Sequence, residues 1–234
     1  MKNEDNFEAF LYYSDNKLSI SVQQSYKDSK YYEKSVVLEK DKNDLKLDKL
    51  DEFLDLNIFK IEKSLKKFIK NITLIIEHQE LLKITLSLKK KNYGNLLSTD
   101  ILSSLLKDAR NQIKENYNDK IITHMVIDKY FIDGKYFSYL PEDIKCENMC
   151  LDIDFICISG DFIKKFEQSL SKYQIKIKQI ISADYIKNYF KDDEVDIFSV
   201  CQKMIKGHNR NEILLVPKKT KNKGFFEKFF NFFS

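Results

Sequence analysis

Residues 151–182, LDIDFICISGDFIKKFEQSLSKYQIKIKQIIS, carry the signal on which the reading of the fold turns. Leu151, Ile153, Phe155 and Cys157 alternate with Asp152 and Asp154, the period of a strand with one face against a core. Gly160-Asp161 then opens a helix, with Phe162, Ile163, Phe166 and Leu170 at spacings of three and four. Ile175 to Ile181 returns to strand. A strand, a helix and a second strand in little more than thirty residues place helices against sheet, so the expected class is a mixed α+β or α/β layered body.

The flanking sequence agrees. Residues 10–22, FLYYSDNKLSISV, alternate like a hairpin pair of strands, and Val36 to Leu38 suggest another short one. Residues 41–56 are charged and leucine-spaced and read as a linker or loose helix. A helix is expected over 57–69, with Ile58, Ile61, Leu65, Phe68 and Ile69 on one face. Ile72 to Ile76 is a β-branched run, and Leu82, Ile84, Leu86 and Leu88 alternate with polar residues. The clearest helix opens at Ser98 or Thr99 as N-cap, with Ile101, Leu102, Leu105, Leu106, Ala109 and Ile113 as its stripe. Asp119 to Ile132 reads as a long strand, turned at Asp133-Gly134 into Lys135–Tyr139. A short helix is expected from Ala183 to Phe190. No internal repeat is visible.

Composition narrows the function classes. The chain has 234 residues, 43% hydrophobic and 32% charged, as a soluble globular protein does. Its formal net charge is only +4, and Arg110 and Arg210 are the only arginines. Bidentate recognition of bases or phosphates therefore has little to work with, and nucleic acid is not an expected partner, even where Tyr26, Tyr31 and Tyr32 interleave with Lys27, Lys30 and Lys34. Five glycines are present, Gly94, Gly134, Gly160, Gly207 and Gly224, and none are clustered. No phosphate-cradling loop can be written, so no nucleotide cofactor and no enzymatic activity are expected. Cys146, Cys150, Cys157 and Cys201 form no CxxC pair. Reduced thiols, no metal and a cytoplasmic location without a signal peptide follow as expectations. His78 and His124 have no Ser or Cys partner at useful spacing. Asp152 with Asp154, and the run Asp192-Asp193-Glu194, read as solvated carboxylates.

The last residues differ from the rest. After Pro217 come Lys218, Lys219, Lys221 and Lys223, and after Gly224 the run Phe225-Phe226-Glu227-Lys228-Phe229-Phe230-Asn231-Phe232-Phe233-Ser234. On a helix the six Phe fall within an arc of roughly 160°, with Glu227, Lys228, Asn231 and Ser234 on the rest. An aromatic face, a polar back and a basic lead-in suit a segment lying in the interface of an anionic membrane. The candidate membrane-binding residues are thus the six Phe together with Lys218, Lys219, Lys221, Lys223 and Lys228.

With that tail in view, the element order of residues 57–186 resembles FtsA, the actin-like bacterial division family that holds FtsZ filaments on the inner membrane. The matching stretches are Ile72–Ile76, Leu82–Leu88, the helix-opening Thr99-Asp100-Ile101-Leu102, Asp119–Tyr139, Leu151–Ser159, Phe162–Tyr173 and Ile175–Asp184. The resemblance implies a partial actin-like fold: a subdomain 1A-like part over 7–70 and 149–190, an inserted 1C-like part over 71–148, a linker over 191–223 that is basic at its end, and the amphipathic helix over 224–234. It implies a non-enzymatic division adaptor, peripheral on the inner face of the cell membrane, with FtsZ or a late division component as partner and self-association through the 1C-like part. Subdomains 2A and 2B would be missing. The family's first phosphate loop corresponds to Leu11-Tyr12-Tyr13-Ser14-Asp15-Asn16-Lys17, where Tyr12 and Ser14 replace its Asp and Gly and Lys17 is kept. The second corresponds to Asp196-Ile197-Phe198-Ser199-Val200-Cys201-Gln202, which has no glycine, so ATP binding is not carried over. A pilus-assembly protein of the PilM kind and a soluble interaction domain with a docked terminal helix are the alternatives.

Overall fold

The computed structural model describes residues 7–25, 29–38, 47–141, 143–190 and 196–213. Among them are two sheets and five helices in a mixed α+β arrangement. The chain forms two compact units, one from the described residues of Met1–Leu81 and Ile158–Lys206, the other from those of Leu82–Cys157 and Gly207–Ser234.

The first unit is built on β1 (Phe7–Ser14), β2 (Lys17–Gln24), β3 (Lys30–Val37), β4 (Asn71–Glu77) and β9 (Lys176–Ser182). Their order is β3-β2-β1-β4-β9. β1 pairs antiparallel with β2, and β2 with β3. β4 lies parallel to β1, and β9 parallel to β4. Helix α1 (Leu47–Leu65) joins β3 to β4, α3 (Gly160–Ser171) precedes β9, and α4 (Ala183–Tyr189) and α5 (Ile197–Ile205) follow it. Helices cover both faces, which is why β1 and β4 read as continuous apolar runs. Leu11 and Tyr13 of β1 join α1 and α3 in one core. Phe10 and Tyr12, pointing the other way, join Phe198 and Met204 of α5 in another.

The second unit contains β5 (Leu82–Leu96), α2 (Thr99–Asn116), β6 (Lys120–Ile132), β7 (Lys135–Phe137) and most of β8 (Lys145–Ser159), with sheet order β5-β8-β6-β7. Leu102, Leu105, Leu106, Ala109 and Ile113 of α2 are buried against one face of this sheet. Ser98 caps α2, its Oγ accepting from the Ile101 N–H. The β6–β7 turn places Asp133 and Gly134 at φ 47° and 78°, the left-handed pair a tight hairpin needs.

Three expectations change. The first helix starts at Leu47 rather than 57 and ends at Leu65, because Leu50, Phe53 and Leu54 are buried beside Ile58 and Ile61 while the charges between them face solvent. Phe68 falls after the helix, beyond Lys66 at φ 54°, and is 76% exposed. Residues 191–223, read as a linker, include α5 and the segment up to Ile213, and both carry buried side chains.

Candidate functional site

The membrane-binding residues read from the sequence, Lys218 to Phe233, lie outside the described residues. Their root does not. Asn211 to Ile213 add to β6: Ile127 N–H donates to the Asn211 carbonyl at 2.9 Å and Ile213 N–H to the Met125 carbonyl at 2.8 Å. Glu212 bridges to Val126, and its carboxylate lies 2.7 Å from Nδ1 of His124, both side chains almost wholly buried. Ile213 is buried with the α2 stripe. Buried polar side chains need such close mutual partners.

In open sheets with parallel strands, ligands gather outside the carboxyl ends of those strands. Here β1, β4 and β9 end in one row, with Ser14 opposite Glu77 and Ile76 opposite Ser182. The row carries Tyr12, Glu77 and Lys187. Tyr12 donates its phenol to Glu77, and Lys187 Nζ binds the same carboxylate oxygen at 2.5 Å. Burial opposes the Glu77 charge, yet Lys187 and Tyr12 outweigh it and hold the carboxyl below its ordinary range. Burial, with the Glu77 contact added, pushes the Tyr12 phenol far above its usual range.

Beside this triad Asp15 and Asn16 form the two-residue turn into β2, with Ser14 Oγ on Asn16 Oδ1 at 2.8 Å. His78 pairs through Nε2 with Asp15 at 3.1 Å and stacks on Phe162 with centroids 4.8 Å apart. Burial, then the Asp15 charge, raises the Tyr13 phenol to about 12. The stretch compared with a first phosphate loop thus presents a phenol and a carboxylate, where an anion would need open N–H groups. The second, Asp196 to Gln202, is the start of α5. Asp196 caps it, accepting from the Ser199 N–H at 3.2 Å, and pairs with Lys30 at 3.1 Å. The geometry makes a satisfied polar network that fixes strand ends, with no nucleophile activated by a base.

The remaining sequence candidates resolve simply. Asp152 and Asp154 lie across from Ser87 and Thr85 on β5 and accept from their hydroxyls at 2.5 and 2.6 Å. Cys146, Cys157 and Cys201 are buried, and burial raises the Cys157 thiol to about 11, so it is a poor nucleophile. Among the described residues no three His, Cys, Asp or Glu converge as a metal site would require. Sequence reasoning flagged Tyr12 but missed Glu77 and Lys187, which lie 65 and 175 positions along the chain from it and meet it only through strand register. It also missed the His124–Glu212 pair.

No protein-family model matches the chain, and no curated protein matches it. Among solved structures, the chain is similar to one from the PilM-PilN type IV pilus biogenesis complex, with TM-score 0.46 at 6% identity, covering 78% of this chain and 49% of that one. It is similar to the cytoplasmic domain of EpsL, an inner-membrane component of the type II secretion system of Vibrio cholerae (TM-score 0.36, 10% identity, 77% and 57% covered). It is also similar to a Bacteroides thetaiotaomicron protein with an actin-like ATPase fold and unknown function (TM-score 0.37, 12% identity, 79% and 55% covered). The chain spans about half the length of these structures. No helix among the described residues is long and apolar enough to cross a membrane.

Proposed function

We propose that this chain is a non-enzymatic adaptor that moors a protein partner at an anionic membrane surface, the inner face of a bacterial cell membrane. The observation that carries the reading is the sequence of Lys218–Phe233: a basic lead-in, then six Phe spaced so that a helix would carry them on one side. Each juxtamembrane Lys contributes about 1 kcal/mol at an anionic leaflet, and each well-buried Phe about 1.5–3 kcal/mol, less the cost of ordering a short helix. The net is reversible, roughly micromolar attachment.

An actin-like body is part of the proposal, and the first unit's topology supports it. Strands β1–β3 form an antiparallel meander, α1 crosses to β4 parallel to β1, residues 82–157 form the body of the second unit, and α3 leads back to β9. The element order follows the one the FtsA resemblance implies for subdomain 1A with its insertion, but the inserted stretch is 82–157 rather than 71–148, because β4 pairs with β1 and β8 pairs with β5. The Tyr12–Glu77–Lys187 network supports the non-enzymatic part, since at the carboxyl ends of the parallel strands these side chains are engaged with one another. In this reading the partner belongs to the division machinery, FtsZ or a late component. Co-sedimentation of the full chain with phosphatidylglycerol-containing liposomes tests the mooring: binding should be lost in Phe229→Glu with Phe230→Glu. Equal sedimentation of that double variant sinks it. A fluorescent fusion should gather at midcell in dividing cells, and uniform membrane staining there would remove the division assignment while keeping the mooring.

A further inference from the structure

We infer that the free edge of β3 and the flank of α1 form a docking groove for an extended protein segment, apolar at one end and acidic at the other, which adds to the sheet as its sixth strand. This deepens the adaptor reading and rests on it only in calling the segment a partner.

The groove holds about 590 Å³ between consecutive β3 residues and one side of α1. β3 is the last strand of its sheet, with no neighbour on its outer side among the described residues. Such an edge is a template for another chain, and proteins usually blunt it. Lys30, Glu33 and Lys34 charge the first half of this one, but among the described residues its last residues are left open: Val36 and Val37 are 40% and 81% exposed, and Leu56 on α1 is 56% exposed. Strand addition explains that combination, because backbone pairing supplies affinity and pockets for alternate side chains supply selectivity.

The register fixes the chemistry of the occupant. Tyr32, Lys34 and Val36 pair with Val22, Ile20 and Leu18, whose side chains belong to the α1 core. The even-numbered β3 residues therefore face α1. Tyr32 donates to Asn57 Oδ1 at 2.6 Å, which locks β3 to α1. Lys34 is two residues from Tyr32, and Lys60 is one helical turn from Asn57, so both ammonium groups lie at that end of the groove. Val36, Leu38, Phe53 and Leu56 line the rest. Lys49 is matched by Glu52 at 2.9 Å, whereas Lys34 and Lys60 form no ion pair among the described residues. A strand here needs apolar side chains toward Val36 and Leu56 and a carboxylate two to four residues away, toward Lys34 and Lys60.

Charge separates this occupant from the others. The chain's own tail carries Lys218, Lys219, Lys221, Lys223 and Lys228 against Glu227 alone and would bring like charge to Lys34 and Lys60. A second copy paired through β3 brings its own Lys34 to the same place, where like charges oppose one another.

The test uses the full chain and a fluorescein-labelled synthetic heptapeptide, Thr-Val-Thr-Val-Thr-Glu-Thr, without lipid, so the result stands or falls separately from membrane binding. Anisotropy should show saturable binding, and hydrogen exchange should slow at β3 amides. Replacing the peptide's Glu by Lys should weaken binding roughly two- to fivefold, the worth of an exposed charge pair. Lys60→Glu, which leaves Lys34 opposed by a carboxylate, should abolish that preference, and Lys34→Glu with Lys60→Glu should reverse it, which a purely structural role for either lysine would not do. Leu56→Asp, on an exposed helix face, should weaken both peptides. No binding at millimolar peptide, or binding indifferent to the charge swap, overturns the proposal. So does protection, in dilute, peptide-free protein, of the β3 amides that point away from β2, because a segment of this chain would then already sit there. Protection that rises with protein concentration means a second copy, and overturns it as well.

Discussion

Glu77 is placed between a phenol and an ammonium, and its protonation decides how firmly the ends of β1 and β4 are tied to the last turn of α4. Its folded pKa lies below the ordinary value of 4.5. A depressed carboxylate contributes stability above its unfolded pKa and loses it as pH falls through the folded value. The side chain is 34% exposed, so solvent screening limits the contribution to about 1 kcal/mol. Glu77→Gln should therefore lower the unfolding free energy by about that amount at pH 7. The difference from the parent should shrink as pH falls below the ordinary carboxylate range and through the depressed folded value, where the parent carries a neutral carboxyl too. Urea titrations at pH 7 and pH 3.5 check both halves. A pH-independent difference would mean that shape, not charge, matters at this position.

Among the elements, α5 is the one whose removal is most informative. Phe198 stacks at 6.1 Å on Phe10 of β1, and with Val200, Cys201 and Met204 it closes one face of the first sheet. Phe198→Ala should cost about 3–5 kcal/mol, the usual range for emptying a buried aromatic site. It should be read as a lowered urea midpoint with a nearly unchanged slope. Asp196→Ala removes the cap and the Lys30 pair from the same helix, and about 1 kcal/mol is expected from the cap alone. These elements differ in how far sequence discloses them. Helix α2 was legible because Ser98 marks its start and its stripe keeps one period throughout. Strand β8 was legible only from Leu151 onward, since before it only Cys146 and Met149 are buried, and their spacing of three breaks the two-residue alternation. The first half of α1 reads as linker because its charges outnumber its leucines, and only a sheet beneath makes Leu50, Phe53 and Leu54 a face. For α5, the comparison with a phosphate loop drew attention from Asp196, Phe198, Cys201 and Met204, whose spacing already described a capped amphipathic helix. Tyr12, Glu77 and Lys187 could not be joined by any local pattern, because three separate elements supply them.

At the scale of the whole chain, the mooring proposal acquires a geometry from the strand addition at β6. Ile213 is held there by backbone bonds on both sides of Glu212. Residues 214–224 separate it from Phe225. Eleven residues span at most about 36–40 Å. When the Phe face lies in the interface, Ile213 is therefore within roughly that distance of the bilayer, and the unit containing β6 is the one tied close to it. A donor dye on Arg210→Cys, in a Cys150→Ser background so that the half-buried thiol does not compete, should transfer energy strongly to acceptor lipids in anionic vesicles. Phe229→Glu with Phe230→Glu should abolish the transfer. Raising salt should weaken it only in part, because screening acts on the exposed Lys contribution and leaves the Phe contribution in place. Complete loss at moderate salt would assign the attachment to lysine alone and remove the aromatic face from the account. Glu212→Ala supplies the control for the root: it removes the side-chain contact with His124 while keeping the backbone bridge, so transfer should persist if the strand addition holds the linker, and fall if the side-chain contact does.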